Sequence, residues 1–554
     1  MQRNFAGVLG TALMLAAWPR CLRRSLACAL LPLSLMSGVA AEEAPQSPST
    51  FSYDVSIYHN SVSGPGAAQS TLPRGGYYLG EFDYSLQSKW GDDQFSFRIH
   101  SRATDDRTVD GQTWALNNLH LKLWNDKRQW EVGDVYADFS QYSFNSSLKG
   151  VLFSQKPSPG KTEWTVISGL SYPRWESFWG GDRYKAVKRT VHGLNIRNTT
   201  GRWSFGLTAL QSKDEDRVTD YDELYNNRLV AFNWEYSVKD GMLLKGESAF
   251  SSGDKSPAAG EATVSHTGYA HQLAWTHNLR HRRWAYEYER VSPNFVTLTG
   301  SAISDRERMK MTYRHSLNAD TALQFGLLWF HNQLNGSRQL DRTDVYQPEL
   351  SLLLNSPFGR PDATLDFKLG FDRRYNSTAS TVDRHVGINY RDLLGVFDWE
   401  LNAEQTYFDT SPYDSGTKSN EISVFSSLAT RLEKKGIVWR PSLNVGWWRN
   451  RNVLEVYSDR MFEASLGLGY DIPAANFSAN LKLGKKHSYN DRIDDNKRWF
   501  LSLTMEAQPA YLKRLGLGSD AKQYLRIMIN DYKYDTQGNN YRETSITTGI
   551  KVGL

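Results

Sequence analysis

Residues 462–484 read FEASLGLGYDIPAANFSANLKLG, and this stretch contains the pattern that decides the fold. In each half, apolar side chains occupy every second position, and polar residues or glycines lie between them. The apolar positions are Phe462, Ala464, Leu466, Leu468 and Tyr470 in the first half, and Phe477, Ala479, Leu481 and Leu483 in the second. Because successive side chains of a β-strand point to opposite faces, this pattern predicts two strands, each with one apolar and one polar face.

The same alternation recurs, in segments of about ten residues, from residue 51 to the end, for example at 323–329 and 365–371. The residue pairs that predict tight turns are Gly91-Asp92, Asn125-Asp126, Asp240-Gly241, Asn335-Gly336 and Gly538-Asn539. Longer polar stretches lie at 102–113, 212–227, 251–262 and 406–420. Short turns at one end and long loops at the other are typical of up-and-down membrane barrels, and counting segments predicts about 22 to 26 strands.

Strands with one polar and one apolar face fit two architectures. One is a soluble sandwich or barrel with the apolar face inside, and the other is a transmembrane barrel with that face outside. Strand lengths near the roughly 9 to 11 residues that cross a bilayer favour the second, as does a polar face rich in charged residues and glycine. Aromatic residues at segment ends also favour it, namely Trp90, Trp124, Trp130, Trp284, Trp447 and Trp448. We therefore predict an all-β protein, a transmembrane antiparallel up-and-down β-barrel.

The N-terminal sequence indicates export. Residues 20–41 combine three arginines with an apolar stretch of about a dozen residues and a small-residue cleavage motif that ends at Ala41. We predict a signal peptide over residues 1–41, a short periplasmic segment over 42–50 and an outer-membrane barrel over 51–554. The expected location is the outer membrane of a Gram-negative bacterium.

Charge and cysteine content restrict the possible partners. The chain has 65 Lys and Arg against 60 Asp and Glu, and removing the four arginines of residues 1–41 leaves 61 basic residues against 60 acidic ones. This balance gives no reason to expect a nucleic-acid partner. Both cysteines, Cys21 and Cys28, lie in the predicted signal peptide, so the mature chain has no thiol for disulfides, thiol catalysis or zinc ligation. A translation start at Met14 would give the same mature chain.

The C-terminal residues match a targeting pattern. Thr547, Gly549, Val552 and Leu554 fit a polar-x-Gly-x-x-apolar-x-apolar ending. This ending resembles the signature by which the barrel-insertion machinery recognises outer-membrane barrels. Most members of that class end in Phe or Trp, where this chain has Leu554.

Two further blocks stand out from the strand repeat. Residues 133–142 read GDVYADFSQY, and residues 288–295 read YERVSPNF. Both blocks resemble sequences in large Gram-negative outer-membrane barrels that accompany export or surface-assembly systems. The resemblance implies membership of such a group and covers about a tenth of the chain.

The two blocks supply the candidate site residues. Pro293 cannot donate to a strand ladder, so we expect the chain to leave the wall at Ser292, with a bend or an inward excursion. One interpretation has Asp134, Tyr142, Arg290 and Phe295 lining a constriction or binding a passing polymer. The alternative is an architectural corner without a direct role in transport.

No pattern in the chain predicts catalysis. His277 and His281 form the only close histidine pair, and a basic rim explains them better than a metal site does. The loop at 214–223 lacks the glycine and ligand spacing of a calcium site, and no Gly-x-Ser-x-Gly motif is present. We therefore expect no enzyme activity, no metal and no cofactor.

Three functions remain open. The first is a non-enzymatic export or assembly conduit that works with separate periplasmic partners. The second is a porin for small polar solutes, and the third is a surface scaffold or adhesin with a closed lumen. The expected contacts are outer-membrane lipid and lipopolysaccharide, together with the barrel-insertion machinery. Because strands begin near Phe51, we expect no N-terminal plug domain of the TonB-dependent type.

Overall fold

The computed structural model describes residues 49–155, 162–179, 186–215, 217–220, 222–334, 342–411, 417–454, 457–490, 494–515, 517 and 520–553. The predicted signal peptide, most of the predicted segment 42–50, Leu554 and the predicted turn Asn335-Gly336 lie outside these residues.

The described residues form 27 strand segments. In chain order the strands are β1 (Ser49–Ser63), β2 (Gly75–Trp90), β3 (Asp93–Thr104), β4 (Trp114–Trp124), β5 (Arg128–Ser140), β6 (Phe144–Gln155), β7 (Glu163–Leu170), β8 (Arg189–Thr200), β9 (Trp203–Asp214), β10 (Leu224–Lys239), β11 (Met242–Ser256), β12 (Val264–Asn278), β13 (Arg282–Val291), β14 (Arg306–Ser316), β15 (Thr321–Asn332), β16 (Asp344–Asn355), β17 (Thr364–Tyr375), β18 (Ser380–Leu394), β19 (Phe397–Ser411), β20 (Lys418–Thr430), β21 (Leu432–Lys434), β22 (Ile437–Asn452), β23 (Tyr457–Ile472), β24 (Phe477–Asn490), β25 (Asn496–Ala507), β26 (Lys522–Tyr534) and β27 (Tyr541–Gly553).

The strands close into one antiparallel barrel. Each strand pairs with its neighbour in sequence, and β1 closes the ring by pairing with β27 from Ser52–Gly553 to Ser63–Arg542. The segments β20 and β21 both pair with β22, so they share one position in the wall and the barrel has 26 strands. The predicted all-β barrel is confirmed, with the strand number at the upper limit of the predicted range.

The two faces of the wall differ in chemistry. Val230, Phe250 and Tyr269 are register partners on β10, β11 and β12, and their exposed fractions are 51%, 51% and 41%. The residues next to them, which face the other way, are Ala231, Ala249 and Ala270, and all three are buried. An apolar face exposed across successive strands suits lipid, so we assign the face of Val230 to the membrane and the other face to the lumen.

The predicted interfacial tryptophans divide between these faces. Trp130 and Trp447 are exposed on the outer face. Trp124 lies on the inner face, where the Lys122 ammonium is 5.5 Å from its ring centroid.

The two ends of the barrel differ in the length of their connections. At the end where β1 begins, here called the turn end, several connections have two residues, as at 91–92, 201–202 and 240–241. At the other end, here called the loop end, connections include 64–74, 105–113, 171–188 and 292–305. The predicted asymmetry of short turns and long loops is therefore confirmed. The pair Gly538-Asn539 lies in a 3-10 turn at the loop end, so it does not form a two-residue hairpin.

Helical structure in the described residues is limited to a few short turns. Helix α1 spans Ala510–Arg514, and 3-10 turns span Ala67–Gln69, Glu176–Trp179, Pro357–Gly359, Pro473–Ala475 and Gln537–Asn539. In the part of the chain that the structure describes, no helix has the length and apolar character needed to cross a bilayer.

Candidate functional site: a hairpin folded into the lumen

The hairpin of β5 and β6 leaves the wall at a row of three glycines. Gly133, Gly150 and Gly169 are register neighbours on β5, β6 and β7. A Cβ added at Gly133 would lie 2.0 Å from the carbonyl oxygen of Leu119, and one at Gly150 would lie 2.1 Å from that of Ser168. Backbones approach this closely only where no side chain intervenes. The glycine row therefore allows the sheet to bend inward.

Beyond this row the hairpin lies inside the barrel, over the inner face of β7 to β13. Its apolar side chains form one buried group with wall residues, here called the lumen cluster. The hairpin contributes Val135, Ala137, Phe139, Tyr142, Phe144, Leu148 and Leu152, and the wall contributes Ile167, Val191, Leu210, Leu229, Ala231, Ala249, Ala270 and Val291. Because neighbouring strands lie about 4.8 Å apart, the hairpin's contacts with β7 to β13 extend about 29 Å around the wall. The upper part of the hairpin is therefore packed on the wall and is not part of it.

The hairpin tip is anchored to three other elements. The backbone N–H of Tyr142 donates to the carboxylate of Glu247 on β11, at 3.0 Å. The Tyr142 hydroxyl donates to the backbone carbonyl of His271 on β12, at 3.4 Å. The Tyr142 ring meets Phe295 edge to face, with ring centroids 6.1 Å apart. Such ring pairs add about 0.5–1.5 kcal/mol beyond the burial of their surfaces.

Phe295 belongs to the connection between β13 and β14, residues 292–305, here called the inward segment. The chain leaves the wall after Val291, as the position of Pro293 predicts. The backbone N–H of Val296 then donates to Ser251 Oγ of β11 at 3.0 Å. The Asn227 side chain of β10 donates to the Val296 carbonyl at 2.9 Å. These bonds hold the inward segment against the inner face of the wall.

The hairpin tip and the inward segment are bonded to each other. The backbone N–H of Ser301 donates to the carbonyl of Gln141 at 2.7 Å, and the Thr299 hydroxyl donates to the carbonyl of Ser143 at 2.9 Å. The backbone N–H of Asn145 donates to the Thr299 carbonyl at 2.9 Å. Together the two elements form a single unit that narrows the lumen from one side.

A buried ion network lies on the inner face of β13 and β14. Glu289 is almost fully buried, accepts a hydrogen bond from Arg306 at 3.3 Å and forms an ion pair with Arg308 at 2.9 Å. Arg308 also pairs with Glu287. Removing one member of such a group leaves a buried charge without its partner, so the network fixes the wall next to the inward segment. This network is not recognisable in the sequence, because its members are distributed over two strands with ordinary alternation.

The inward bend opens the wall between β4 and β5. These strands pair over only five positions, from His120 and Gly133 to Trp124 and Gln129. On that side of β4, residues 114–119 pair with no strand among the described residues. Backbone N–H groups there need other acceptors, since unpaired and buried polar groups are costly.

The connection between β7 and β8 covers this opening with residues 174–176, here called the strap. The backbone N–H of Leu116 donates to the carboxylate of Glu176 at 2.5 Å. The backbone N–H of Leu119 donates to the carboxylate of Asp134 at 2.8 Å. Two carboxylates therefore accept the backbone hydrogen bonds that a neighbouring strand would otherwise accept.

Asp134 joins the strap to the hairpin. Its carboxylate also accepts from the Trp175 indole N–H at 2.7 Å and from the Lys149 ammonium at 2.9 Å. The same ammonium lies 5.3 Å from the Trp175 ring centroid. Asp134 thus accepts from the backbone of β4, from the strap and from β6.

A second ion pair ties the strap to the connection between β3 and β4. The Arg174 guanidinium donates to Asp110 at 2.8 Å. Burial alone would raise the pKa of Asp110, but hydrogen bonds from Arg174 and from the backbone N–H of Gln112 outweigh burial and lower that pKa. Asp110 therefore remains ionised to lower pH than an ordinary aspartate.

The structure brings together two of the four residues predicted to line a constriction. Tyr142 and Phe295 meet in the lumen cluster. Asp134 lies instead in the opening between β4 and β5, on the face of β5 opposite Val135. Arg290 is exposed on the outer face of β13, because strand alternation places Glu289 and Val291 toward the lumen. This placement of Asp134 and Arg290 differs from the predicted one.

The C-terminal strand carries the predicted insertion residues next to the closing seam. On the inner face, the Tyr524 ring lies over Gly549, and its hydroxyl donates to Asp54 of β1 at 2.6 Å. Thr547 pairs in register with Tyr58 across the same seam.

The outer side of this seam is covered by α1. Val552 has no exposed surface and packs with Leu512 of α1 and with Tyr53 of β1.

Away from the hairpin, the inner face of the wall is charged. On β17 to β20 its carboxylates are Asp366, Asp372, Asp383, Asp398, Glu400, Glu404 and Glu421. The basic residues on the same inner faces are Lys368, Arg374 and Arg391. This part of the lumen is therefore rich in negative charge.

The remaining sequence candidates have ordinary surroundings. In the loop at 214–223, Asp214 is bonded to Arg189, and Asp222 accepts the backbone N–H groups of Val218 and Thr219. Within the described ranges, no three His, Cys, Asp or Glu side chains come together in a way that could hold a metal ion.

No family model and no curated protein matches the chain. Solved structures of similar architecture include the translocation pore of the P pilus usher PapC. The match has 10% identity and a TM-score of 0.42, and covers 91% of this chain and 99% of that chain. An E. coli P pilus tip assembly intermediate containing PapC matches with 10% identity and a TM-score of 0.47, over 93% of this chain and 62% of that chain. OccK3 of Pseudomonas aeruginosa matches with 12% identity and a TM-score of 0.33, over 59% of this chain and 92% of that chain.

These similarities concern barrel architecture only. A closed barrel with an even number of antiparallel strands, short turns at one end and an apolar outer face is the architecture of bacterial outer-membrane proteins. The chain is therefore a transmembrane β-barrel of the outer-membrane type.

Proposed function

We propose that this protein is a non-enzymatic conduit of the outer membrane, through which a polymer or protein crosses, with the hairpin and the inward segment as its internal constriction. The observation that carries the proposal is the hairpin seated inside a wall of 26 strands. A wall of this size encloses a space about 50 Å across between backbones, whereas porins of about 16 to 18 strands already leave an aqueous channel. A lumen of this width is larger than the passage of small solutes requires.

The packing of the constriction supports a role in controlling passage. Its apolar side chains are buried against seven wall strands. Its tip donates hydrogen bonds to the wall, and it both donates to and accepts from the inward segment. A seated unit of this kind leaves the wall intact when it moves, because β6 remains paired with β7 through residues 149–155. Periplasmic partners would deliver cargo at the turn end, the end that faces the periplasm in this class.

A porin for small polar solutes is the second candidate, and the carboxylate-rich inner face of β17 to β20 favours it. Charged rows along a lumen select ions in narrower barrels. The two candidates differ in the size of molecule that passes.

Single-channel recording in a planar bilayer, with graded neutral polymers to size the pore, tests the proposal. A conduit gives large and stable conductance that wide polymers can enter. Small ion-selective steps that exclude all but the shortest polymers would support the porin, and absence of conductance would support a closed scaffold. Either result would overturn the conduit.

A further inference from the structure

Four of the cations on the inner face of β24 to β26 form a row, here called the cation ladder. They are Lys482 and Lys486 on β24, Arg498 on β25 and Arg526 on β26. Alternation fixes their direction, because the intervening Leu483 is 44% exposed on the outer face. On the inner face, the Phe500 ring lies over Gly484, within 2.3 Å of where a Cβ would be.

The ladder runs along the pore from the loop end toward the turn end. Lys486 and Arg498 are register partners and form the part of the ladder nearest the loop end. Lys482 follows two same-face positions further down, a distance of about 13 Å along the strand. Arg526 pairs with Thr504, one more same-face row toward the turn end, so the ladder extends about 20 Å.

The ladder cations have no carboxylate partner among the described residues. Several other cations of the lumen do, as Arg98 pairs with Asp83 at 2.9 Å and Arg374 with Asp372 at 3.0 Å. Glu463 is opposite Lys486 in register, but no ion pair joins them. The nearby Glu543 accepts instead from Ser70 and Asn530.

Aromatic rings hold three of the four ladder cations in place. The Arg498 guanidinium lies 5.3 Å from the Phe500 ring centroid, and the Lys482 ammonium lies 5.6 Å from the same ring. The Arg526 guanidinium lies 4.7 Å from the ring centroid of Tyr524. A ring face orients a cation without neutralising it, so the positive charge remains available to an anion in the lumen.

We propose that the cation ladder binds an acidic polysaccharide as it crosses the barrel, which names the cargo class of the conduit and rests on the proposed function. Cations spaced along the path suit a chain with repeated negative groups, whereas a small solute needs converging groups in one pocket. Single-stranded nucleic acid binds by stacking its bases on ring faces, and here cations occupy those faces. The ladder therefore favours a polyanion that is recognised by charge alone.

Polymer block of single-channel current tests the proposal. The probes are polygalacturonate, neutral dextran of matched length, polyglutamate and single-stranded DNA. The wild-type channel is expected to show current block by polygalacturonate, weakened by added salt, at concentrations where dextran gives none. Stronger block by polyglutamate or by DNA would overturn the assignment to a polysaccharide.

A matched pair of double variants locates the effect. Lys482→Gln with Arg498→Gln should weaken polygalacturonate block by about tenfold, through loss of two charge contacts. Arg283→Gln with Arg314→Gln removes a register pair of inner-face cations on β13 and β14, and should leave the block unchanged. Equal weakening by both double variants would overturn the ladder.

The failure of the ladder and the failure of the conduit give different results. If dextran enters the wild-type channel and polygalacturonate does not block it, the ladder is wrong and the conduit stands. If no wide polymer enters, the conduit is wrong. In that case, calorimetry of polygalacturonate binding to the detergent-solubilised protein tests the ladder separately. The expected result is that the wild-type protein binds and the Lys482→Gln/Arg498→Gln variant does not.

Discussion

The rings of Tyr142 and Phe295 meet edge to face inside the barrel, with centroids 6.1 Å apart. One ring is at the tip of the β5–β6 hairpin and the other is in the inward segment. Their contact joins the two sequence blocks that stand out from the strand repeat. It also identifies the part of the molecule whose movement would change the width of the lumen.

Truncating this contact should loosen the constriction. Replacing a buried aromatic residue with alanine typically costs about 3–5 kcal/mol, and here the loss falls on a docked hairpin and leaves the wall pairing intact. We expect Tyr142→Ala with Phe295→Ala to raise the polymer size that enters the channel. Tyr269→Ala, on the lipid-facing side of β12, is the control and should leave the polymer cut-off at its wild-type value. An unchanged cut-off in the double variant would mean that these rings do not set the width.

Asp134→Ala should destabilise the seal between β4 and β5. The substitution leaves the backbone N–H of Leu119 without its acceptor and the Lys149 ammonium without its ion pair, at a cost of about 3–5 kcal/mol. We expect a lower midpoint temperature of heat unfolding. The measurement is the shift in electrophoretic mobility that accompanies unfolding of the barrel.

The control for this experiment is Asp83→Ala, which breaks an exposed pair with Arg98 and should cost less than about 1 kcal/mol. Equal midpoints for the two variants would contradict the role of Asp134 in the seal.

Gly549→Val should impair closure of the barrel. A Cβ at this position would lie 2.5 Å from the Tyr524 ring and 2.7 Å from the carbonyl oxygen of Val55, so the side chain has no space. Gly553→Val, on the same strand, meets no described atom within 4 Å and is the control. The measurement is the yield of folded barrel in the outer membrane. Similar yields for the two variants would show that the Tyr524 contact is dispensable for closure.

The strap should lose stability in acid. A carboxylate with a lowered native pKa stabilises the folded state above its unfolded pKa, and that contribution is lost as the pH falls through the native value. Because the pKa of Asp110 is lowered, the difference in unfolding midpoint between wild type and Asp110→Asn should be full at neutral pH and decline below about pH 4. A difference that is independent of pH would contradict this ionisation account.

The barrel could be predicted from the sequence, because alternation of apolar and polar residues has a direct physical cause in strand geometry. The same property hides the inward hairpin. Val135, Ala137 and Phe139 alternate like any wall residues, and alternation does not distinguish an apolar face against lipid from one against another strand. The glycines of the bend were visible in the chain, but their alignment in one row depends on the register of three strands.

The positions of Asp134 and Arg290 could not be predicted for a related reason. The two sequence blocks show which residues are close along the chain. They do not show which face of the strand each side chain occupies. The direction of each side chain follows from the register at Gly133 and from the departure of the chain at Ser292.

A reversible cross-link between the hairpin tip and the wall tests the central claim most directly. The mature chain is predicted to have no cysteine, so Gln141→Cys with Glu247→Cys introduces a single disulfide in place of the hydrogen bond between the Tyr142 N–H and Glu247. The experiment uses a protein that also carries Phe295→Ala. We predict that the oxidised channel admits only narrow neutral polymers in a planar bilayer, and that reduction of the disulfide raises the size of polymer that enters. An identical cut-off before and after reduction would contradict a constriction formed by the hairpin.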